Sequence, residues 1–270
     1  MAPFFFFDFT LDKSAVPPAE GILEPPCPER PQAERRNLCP YPIPKIGDIV
    51  KDIEHCTYSV DKHKFVSDLF ECGAIAISNA VDLAQKDKRE ERYLRIIRSY
   101  SPYLQKKLAE IFAKVYALLA SVVYDDGHFN DNLGELFMRC DLGNKTAGQF
   151  FTPYHISEFM ARVTIDETLA KEKTADDGIL TVNDPCCGGG GMLIATLEVL
   201  KSLGITYARN CFFEAGDIDE RCVHMTYLQL ALAGAPAIVK NQNALTRECR
   251  SIWYTPAFLF QYLRFRKFDR

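Results

Sequence analysis

The stretch Ile179 to Ile194, Ile-Leu-Thr-Val-Asn-Asp-Pro-Cys-Cys-Gly-Gly-Gly-Gly-Met-Leu-Ile, restricts the fold more than any other part of the chain. A short apolar run ends on Asp-Pro, four glycines follow, and a helical apolar pattern begins at Met192. This reads as a strand, a tight turn and a helix start. Glycines there let the backbone approach a ligand closely, and the helix N-terminus offers unpaired N–H groups.

Beyond Ile194 the chain repeats the alternation. Cys211 to Ala215 reads as a second strand ending near Gly216-Asp217-Ile218-Asp219, Arg221 to Ala233 as a helix, and Ala237 to Lys240 as a third strand. Strand, helix, strand, helix, strand at this spacing predicts a parallel, doubly wound α/β sheet. Right-handed crossovers bring the glycine turn and Asp217 to the same edge, at the carboxyl ends of the strands.

The region before the turn is different in kind. Prolines crowd residues 14–44, so residues 1–45 read as an extended, disordered Pro-rich leader, with an apolar cluster from Phe4 to Phe9. Helical periodicity then takes over. Phe65, Leu69, Gly73, Ile77 and Val81 form one apolar face, and Lys86 to Arg98 is a charged helix with its basic residues on a solvated face. Ser101-Pro102 starts a third helix with Leu104, Leu108, Ile111, Phe112, Val115, Leu119 and Val122 inside, and a short helix covers Asn132 to Cys140. Three divisions result: the leader 1–45, a helical subdomain 46–145, and an α/β domain 146–270. Between the last two, Gly148-Gln149-Phe150-Phe151-Thr152-Pro153 closes on a helix that Thr152 is placed to cap. Its two aromatics serve either as a pocket wall or as a plug under that helix.

Composition narrows the setting. The 270 residues carry a net charge of -4, so a nucleic-acid contact would need a local patch or a partner. Such a patch is available in Arg247 to Arg270, where six cations stand against Glu248 and Asp269 among interleaved aromatics. An apolar element with a basic rim is the alternative reading of that tail. The ten cysteines contain no Cys-x-x-Cys pair, which argues against a metal centre or a redox dithiol and for reduced thiols, buried in the case of Cys140, Cys186, Cys187, Cys211 and Cys222. The start lacks a basic leader and cleavage site, and no run of eighteen apolar residues occurs. A cytoplasmic protein is expected.

The ligand class follows from charge. A glycine turn after strand one with a carboxylate after strand two is a nucleoside-binding layout, with Asp217 placed to accept ribose hydroxyls. The dinucleotide fingerprint Gly-x-Gly-x-x-Gly fails, since Leu193 or Ile194 stands where the last glycine belongs, and no Lys-Ser/Thr follows to make a P-loop. Asp184 before the glycines disfavours a pyrophosphate and suits a cation. S-adenosylmethionine, with a sulfonium, an amino group and no phosphate, fits.

Asp184-Pro185-Cys186-Cys187-Gly188-Gly189-Gly190-Gly191-Met192-Leu193 resembles the Asp-Pro-x-x-Gly-x-Gly-Gly-x-Leu motif of N6-adenine DNA methyltransferases, above all the modification subunits of type I restriction systems. The resemblance spans about residues 60 to 250. It implies a Rossmann-like methyltransferase sheet, and a cofactor pocket built from Phe150, Phe151, Thr152, Pro153, Asp184, Pro185, Gly188, Gly190, Asp217 and, against the adenine ring, Asn243. It also implies DNA as substrate, and a specificity subunit or second methylase subunit as partner. One departure matters. The family's Asn/Asp-Pro-Pro-Phe/Tyr tetrapeptide, which holds the flipped base, is absent. The nearest segment is Thr255-Pro256-Ala257-Phe258, so Thr255, Pro256 and Phe258 are the catalytic candidates of a degenerate loop. Since the sequence stops at Arg270, the family's later strands and any target-recognition domain are expected to be missing from it. Two readings stay open: an adenine-N6 methyltransferase, and a catalytically inactive cofactor-binding regulatory or anti-restriction subunit. A methyltransferase for small molecules or proteins gives the Phe-Thr-Pro loop no role.

Overall fold

The computed structural model describes residues 43–124, 127–142 and 151–265. The leader up to residue 42, its Phe cluster, Phe150 and the end of the basic tail lie outside them.

Seven helices precede the sheet among the described residues. They are α1 (Ile46–Cys56), α2 (Lys62–Asn79), α3 (Lys86–Arg98), α4 (Pro102–Tyr124), α5 (Asn132–Arg139), α6 (Tyr154–Thr164) and α7 (Glu167–Thr174). Their starts follow ordinary capping chemistry: Asp61 accepts from the Lys64 N–H at 2.6 Å, and the Ser101 hydroxyl from Leu104 at 3.4 Å. Leu104, Leu108, Ile111, Val115 and Leu119 are buried along α4, as their spacing predicts. Gly73 lets α2 and α4 approach, since a Cβ there would run into the Phe112 ring. The helix ends at Asn79, however, so Val81 falls beyond it and Ser78 takes the inner position.

The reason is Arg89. Its guanidinium is buried in spite of its place in a highly charged helix. Nη1 donates to Asp82 Oδ2 at 2.7 Å and to the Ser78 hydroxyl, Nη2 donates to the Ile252 carbonyl at 2.9 Å, and the group lies 4.2 Å from the Trp253 ring centroid. Arg89 therefore departs from the solvated face expected of α3, and it ties the helical region to the far edge of the sheet.

The remaining elements are β1 (Leu180–Asp184), α8 (Gly191–Ser202), α9 (Tyr207–Asn210), β2 (Cys211–Asp217), α10 (Glu220–Leu232), β3 (Ala237–Gln242), β4 (Cys249–Tyr254), α11 (Pro256–Phe260) and α12 (Tyr262–Phe265). The sheet order is β1-β2-β3-β4, with the first three strands parallel and β4 antiparallel to β3. This is a mixed α/β fold. The alternation of β-strand side chains divides the core. Phe213, Ala215, Ala237 and Val239 pack with α8 and α10 in a cluster that continues through Phe65, Leu69 and Leu133 into the helical region. Phe212 and Ile238 point the other way, onto Phe258 and Phe265 of α11 and α12. The doubly wound expectation is corrected to this extent: crossover helices cover one face, and two short helices following an antiparallel strand cover the other.

Two surfaces stay open among the described residues. The strand β1 pairs only with β2. The outer side of α6 shows Ile156, Phe159, Met160 and Val163 at helical spacing, Phe159 62% and Val163 67% exposed.

On α10, His224 is fully enclosed, its ring edge-on to Trp253 at 4.9 Å and its Nε2 without a hydrogen-bond partner. Burial pushes its pKa down from the ordinary 6.5 to about 4. In the unfolded chain the imidazole takes a proton near pH 6.5, so stability from the neutral ring is complete above that pH and is lost as pH falls towards 4. The loss should be about 3 kcal/mol in all. Chemical denaturation of the native chain and His224→Phe between pH 7.5 and 4.5 checks this. The stability gap between them should move in favour of the variant as pH falls, and a constant gap would contradict it.

Candidate functional site

The parallel registers align Asp184 with Ala215 and Asp217 with Asn241, so the carboxyl ends of β1, β2 and β3 share one edge. The glycine turn closes over that edge. The Cys187 N–H donates to the Gly216 carbonyl at 2.9 Å, and the Gly190 N–H to the Cys187 carbonyl at 2.8 Å. Gly188 and Gly190 have φ of 53° and 92°, a conformation that disfavours any side chain. At Gly190 a Cβ would also lie 3.0 Å from Thr226 Oγ1.

Asp217 joins the glycine turn to the start of α10. Its Oδ2 accepts from the Gly188 N–H at 2.9 Å and its Oδ1 from the Asp219 N–H at 2.8 Å. Asp184 Oδ1 accepts from the Cys186 N–H at 3.2 Å. Burial raises the pKa of both carboxyls, the backbone N–H groups oppose the rise, and at Asp184 the charge of Asp217 adds to it. Two facing carboxylates at a half-open strand edge repel a phosphate and attract a cation or hydroxyl donors. The neighbouring Asp219 is committed elsewhere: it caps α10 and pairs with Arg221 at 2.7 Å.

The Phe-Thr-Pro loop reaches the same place. The Phe151 ring lies where a Cβ on Gly188 would meet it at 3.3 Å, and it packs on Phe137 with centroids 5.1 Å apart. It is at once a wall of the turn and a plug against α5. Thr152 and Pro153 are exposed, and α6 starts at Tyr154 without a side-chain cap, so Thr152 does not cap it as expected. Pro185 leads into the turn. Asn243 stands one residue past β3 at the same edge, and its Oδ1 accepts from the Leu245 and Thr246 N–H groups at 2.9 and 3.2 Å, closing the β3–β4 hairpin. Asn241, rather than Asn243, reaches into β2: its amide donates to the Asp217 and Ile218 carbonyls, both at 3.0 Å.

Several residues escaped sequence reasoning. Ile218, next in sequence to Asp217, is 58% exposed, an apolar surface just past the end of β2. Thr226 donates to the Gly188 carbonyl at 2.9 Å and Gln229 to the Gly189 carbonyl at 2.7 Å. The available signal was a pair of hydrogen-bonding side chains, Thr226 and Gln229, at i, i+3 in the apolar second half of a helix. Of the cysteines, Cys140, Cys187, Cys211 and Cys222 are buried, whereas Cys186, expected inside, is exposed on the turn. Among the described residues no group of His, Cys, Asp or Glu is arranged to hold a metal ion, and no helix is long and apolar enough to cross a membrane.

The catalytic candidates are elsewhere. The fully buried Thr255 hydroxyl donates to the Ala235 carbonyl at 2.7 Å, and accepts from the Ala237 N–H at 2.8 Å and the Phe258 N–H at 3.4 Å. Ala237 begins β3, so Thr255 lies at the amino end of that strand, a strand length or roughly 17 Å from the turn. Pro256 is the first residue of α11, and Phe258 is buried against Tyr254 and Phe212. The antiparallel return of β4 reverses the end at which the segment emerges, and a catalytic loop at Thr255, Pro256 and Phe258 does not fit this placement. Thr255→Val should cost about 1–2 kcal/mol in thermal unfolding, as a lost cap and buried hydrogen bond do. Ligand affinity at the turn should stay unchanged; a tenfold loss of affinity at unaltered stability would restore a role at the site.

Residues 135–251 match the family model of N-6 DNA methylases. The methylase subunit of the type I restriction enzyme MpnII from Mycoplasma pneumoniae is 27% identical over 160 residues, 57% of this chain and 25% of that protein. The chain thus spans about a quarter of the relative's length. No solved structure matches it significantly. The family match runs from α5 to β4 and encloses the glycine turn, Asp217, Asn241 and Asn243. By family model and relative alike, this chain resembles the N6-adenine DNA methyltransferases, and among them the methylase subunits of type I restriction enzymes.

Proposed function

We propose that the glycine turn binds S-adenosylmethionine, and that the chain contributes the cofactor-binding part of a DNA adenine-N6 methyltransferase of the type I restriction kind. The observation that carries this reading is the Asp217 carboxylate held on the Gly188 N–H with Asp184 at the adjacent strand end. The residues fit the cofactor. Asp217 would take ribose hydroxyls, Asp184 the cationic end, Ile218 and Phe151 the apolar faces, and the two left-handed glycines keep the cradle free of side chains. Asn243, Pro185, Thr152 and Pro153 border it, and Phe150 belongs to the same loop. The bound cofactor supplies an already activated methyl group, so this part of the protein need only hold it in line with the acceptor amine.

A base-holding group is the missing element. The Thr255 to Phe258 segment sits at the amino end of β3, away from the turn, which supports a base-holding group supplied from elsewhere. We assign adenine capture to a partner, a second methylase or specificity subunit. The exposed apolar stripe of α6 is a surface of the sort such a subunit covers. Arg247 and Arg250, both exposed, belong to the basic tail that would meet DNA. The placement of Thr255 also favours a second reading, a cofactor-binding regulatory or anti-restriction subunit without transferase activity of its own.

Labelled S-adenosylmethionine, mixed-sequence DNA and the purified chain, alone and with methylase and specificity subunits from a type I system, separate these. Label on adenine N6 only after subunits are added supports the first reading. Binding that never leads to transfer supports the second, and transfer by the chain alone contradicts the assignment of adenine capture to a partner.

A further inference from the structure

Outside the cofactor-facing side of the turn lies a second, buried polar system. Asp131 caps α5, its Oδ1 accepting from the Gly134 N–H at 2.9 Å. The same oxygen accepts from Gln229 Nε2 at 2.8 Å, and that amide nitrogen also donates to the Gly189 carbonyl at 2.7 Å. Gln229 Oε1 accepts from the Leu133 N–H at 3.4 Å. Both side chains are almost wholly buried. The carboxylate is wedged between two helix starts: a Cβ on Gly134 would collide with Asp131 Oδ2, and one on Gly191 would stand 2.8 Å from it. Two turns along α8, Glu198 accepts from the Phe129 N–H at 2.8 Å, so the segment before α5 is fixed at both ends.

A buried carboxylate and amide carry a large desolvation penalty unless every bond is made, and such a pair therefore has one arrangement. Thr226 holds the Gly188 carbonyl in the same way at 2.9 Å. The Gly188 and Gly189 carbonyls are thus both held from α10, which fixes the path of the turn. We infer that Asp131 and Gln229 are positioning residues for the glycine turn, a latch through which the cap of α5 sets the geometry of the cofactor site. This rests on the S-adenosylmethionine reading for its functional consequence, though not for the latch itself. A shift of α5, which also carries Phe137 against Phe151, would move the turn.

The test uses Gln229→Glu and Gln229→Met in the full chain. At pH 8 the glutamate has no proton to donate and faces Asp131 and the Gly189 carbonyl. At pH 6 a proton shared with Asp131 restores one donor. The titratable groups around it are Asp131 and Glu135 at α5, His128 before it paired with Glu198 of α8, Tyr154 on α6, and Cys187, Asp184 and Asp217 at the turn. All are common to the native chain, so the difference from native isolates position 229. Hydrogen exchange of residues 185–194, measured without ligand and corrected for pH, should rise at least roughly tenfold in Gln229→Glu at pH 8 and recover most of the way at pH 6. In Gln229→Met it should rise at both pH values. Affinity for S-adenosylmethionine should follow the same pattern. Native-like protection of the turn in both variants overturns the latch, and so does a pH-independent loss shared by the whole chain. Latched exchange behaviour in a native chain that does not bind the cofactor would leave the latch standing and sink the cofactor reading instead.

Discussion

Asp217→Ala is expected to weaken S-adenosylmethionine binding by roughly a hundredfold or more, a loss of about 3 kcal/mol from two charge-assisted hydrogen bonds. One carboxylate does two things here. It fixes the turn by accepting from Gly188 and Asp219, and on the proposed reading it also accepts the ribose hydroxyls. Alanine removes both. Asp217→Asn keeps the volume but turns one acceptor into a donor against a backbone N–H, so it should bind nearly as weakly. Isothermal titration checks both variants, with thermal unfolding as the control for misfolding. Binding by Asp217→Ala within threefold of native would place the ligand elsewhere.

The second large effect lies far from the turn. Arg89→Ala should lower the free energy of unfolding by about 3–5 kcal/mol, because it strands a buried Asp82. It also strips the Ile252 carbonyl of its donor and the Trp253 ring of its cation. Since β4 meets the helical region through this side chain, its amides should exchange faster before the rest of the sheet does. Combining Asp82→Leu with Arg89→Met removes the stranded charge and should recover much of the loss. Urea denaturation of the three proteins decides it; a loss below about 1 kcal/mol in Arg89→Ala would show that water reaches the pair.

Local chemistry made most of the α/β part legible. Strands and helices between Leu180 and Gln242 follow from apolar runs punctuated by Asp-Pro, Gly and Asp, and the shared edge of the turn and Asp217 follows from parallel crossovers. The sequence was silent on β4. Cys249 to Tyr254 mixes exposed polar and aromatic residues, as an edge strand does, and its antiparallel return depends on a hairpin closed by Asn243 and by Arg247 at φ 59°. That return is what carries Thr255 to the end of β3 opposite the glycine turn, which a motif comparison alone does not show. Asp131 and Arg89 were illegible for a related reason. Each is a charged residue in a polar stretch, and only tertiary packing shows that it is buried and paired.

Cofactor binding at the glycine turn is tested most directly by one titration, S-adenosylmethionine into the purified chain followed by calorimetry. Saturable heat with one site per chain is predicted, displaced by S-adenosylhomocysteine and absent in Asp217→Ala. No heat from a folded native chain, or equal binding of NAD or ATP at the turn, would contradict it.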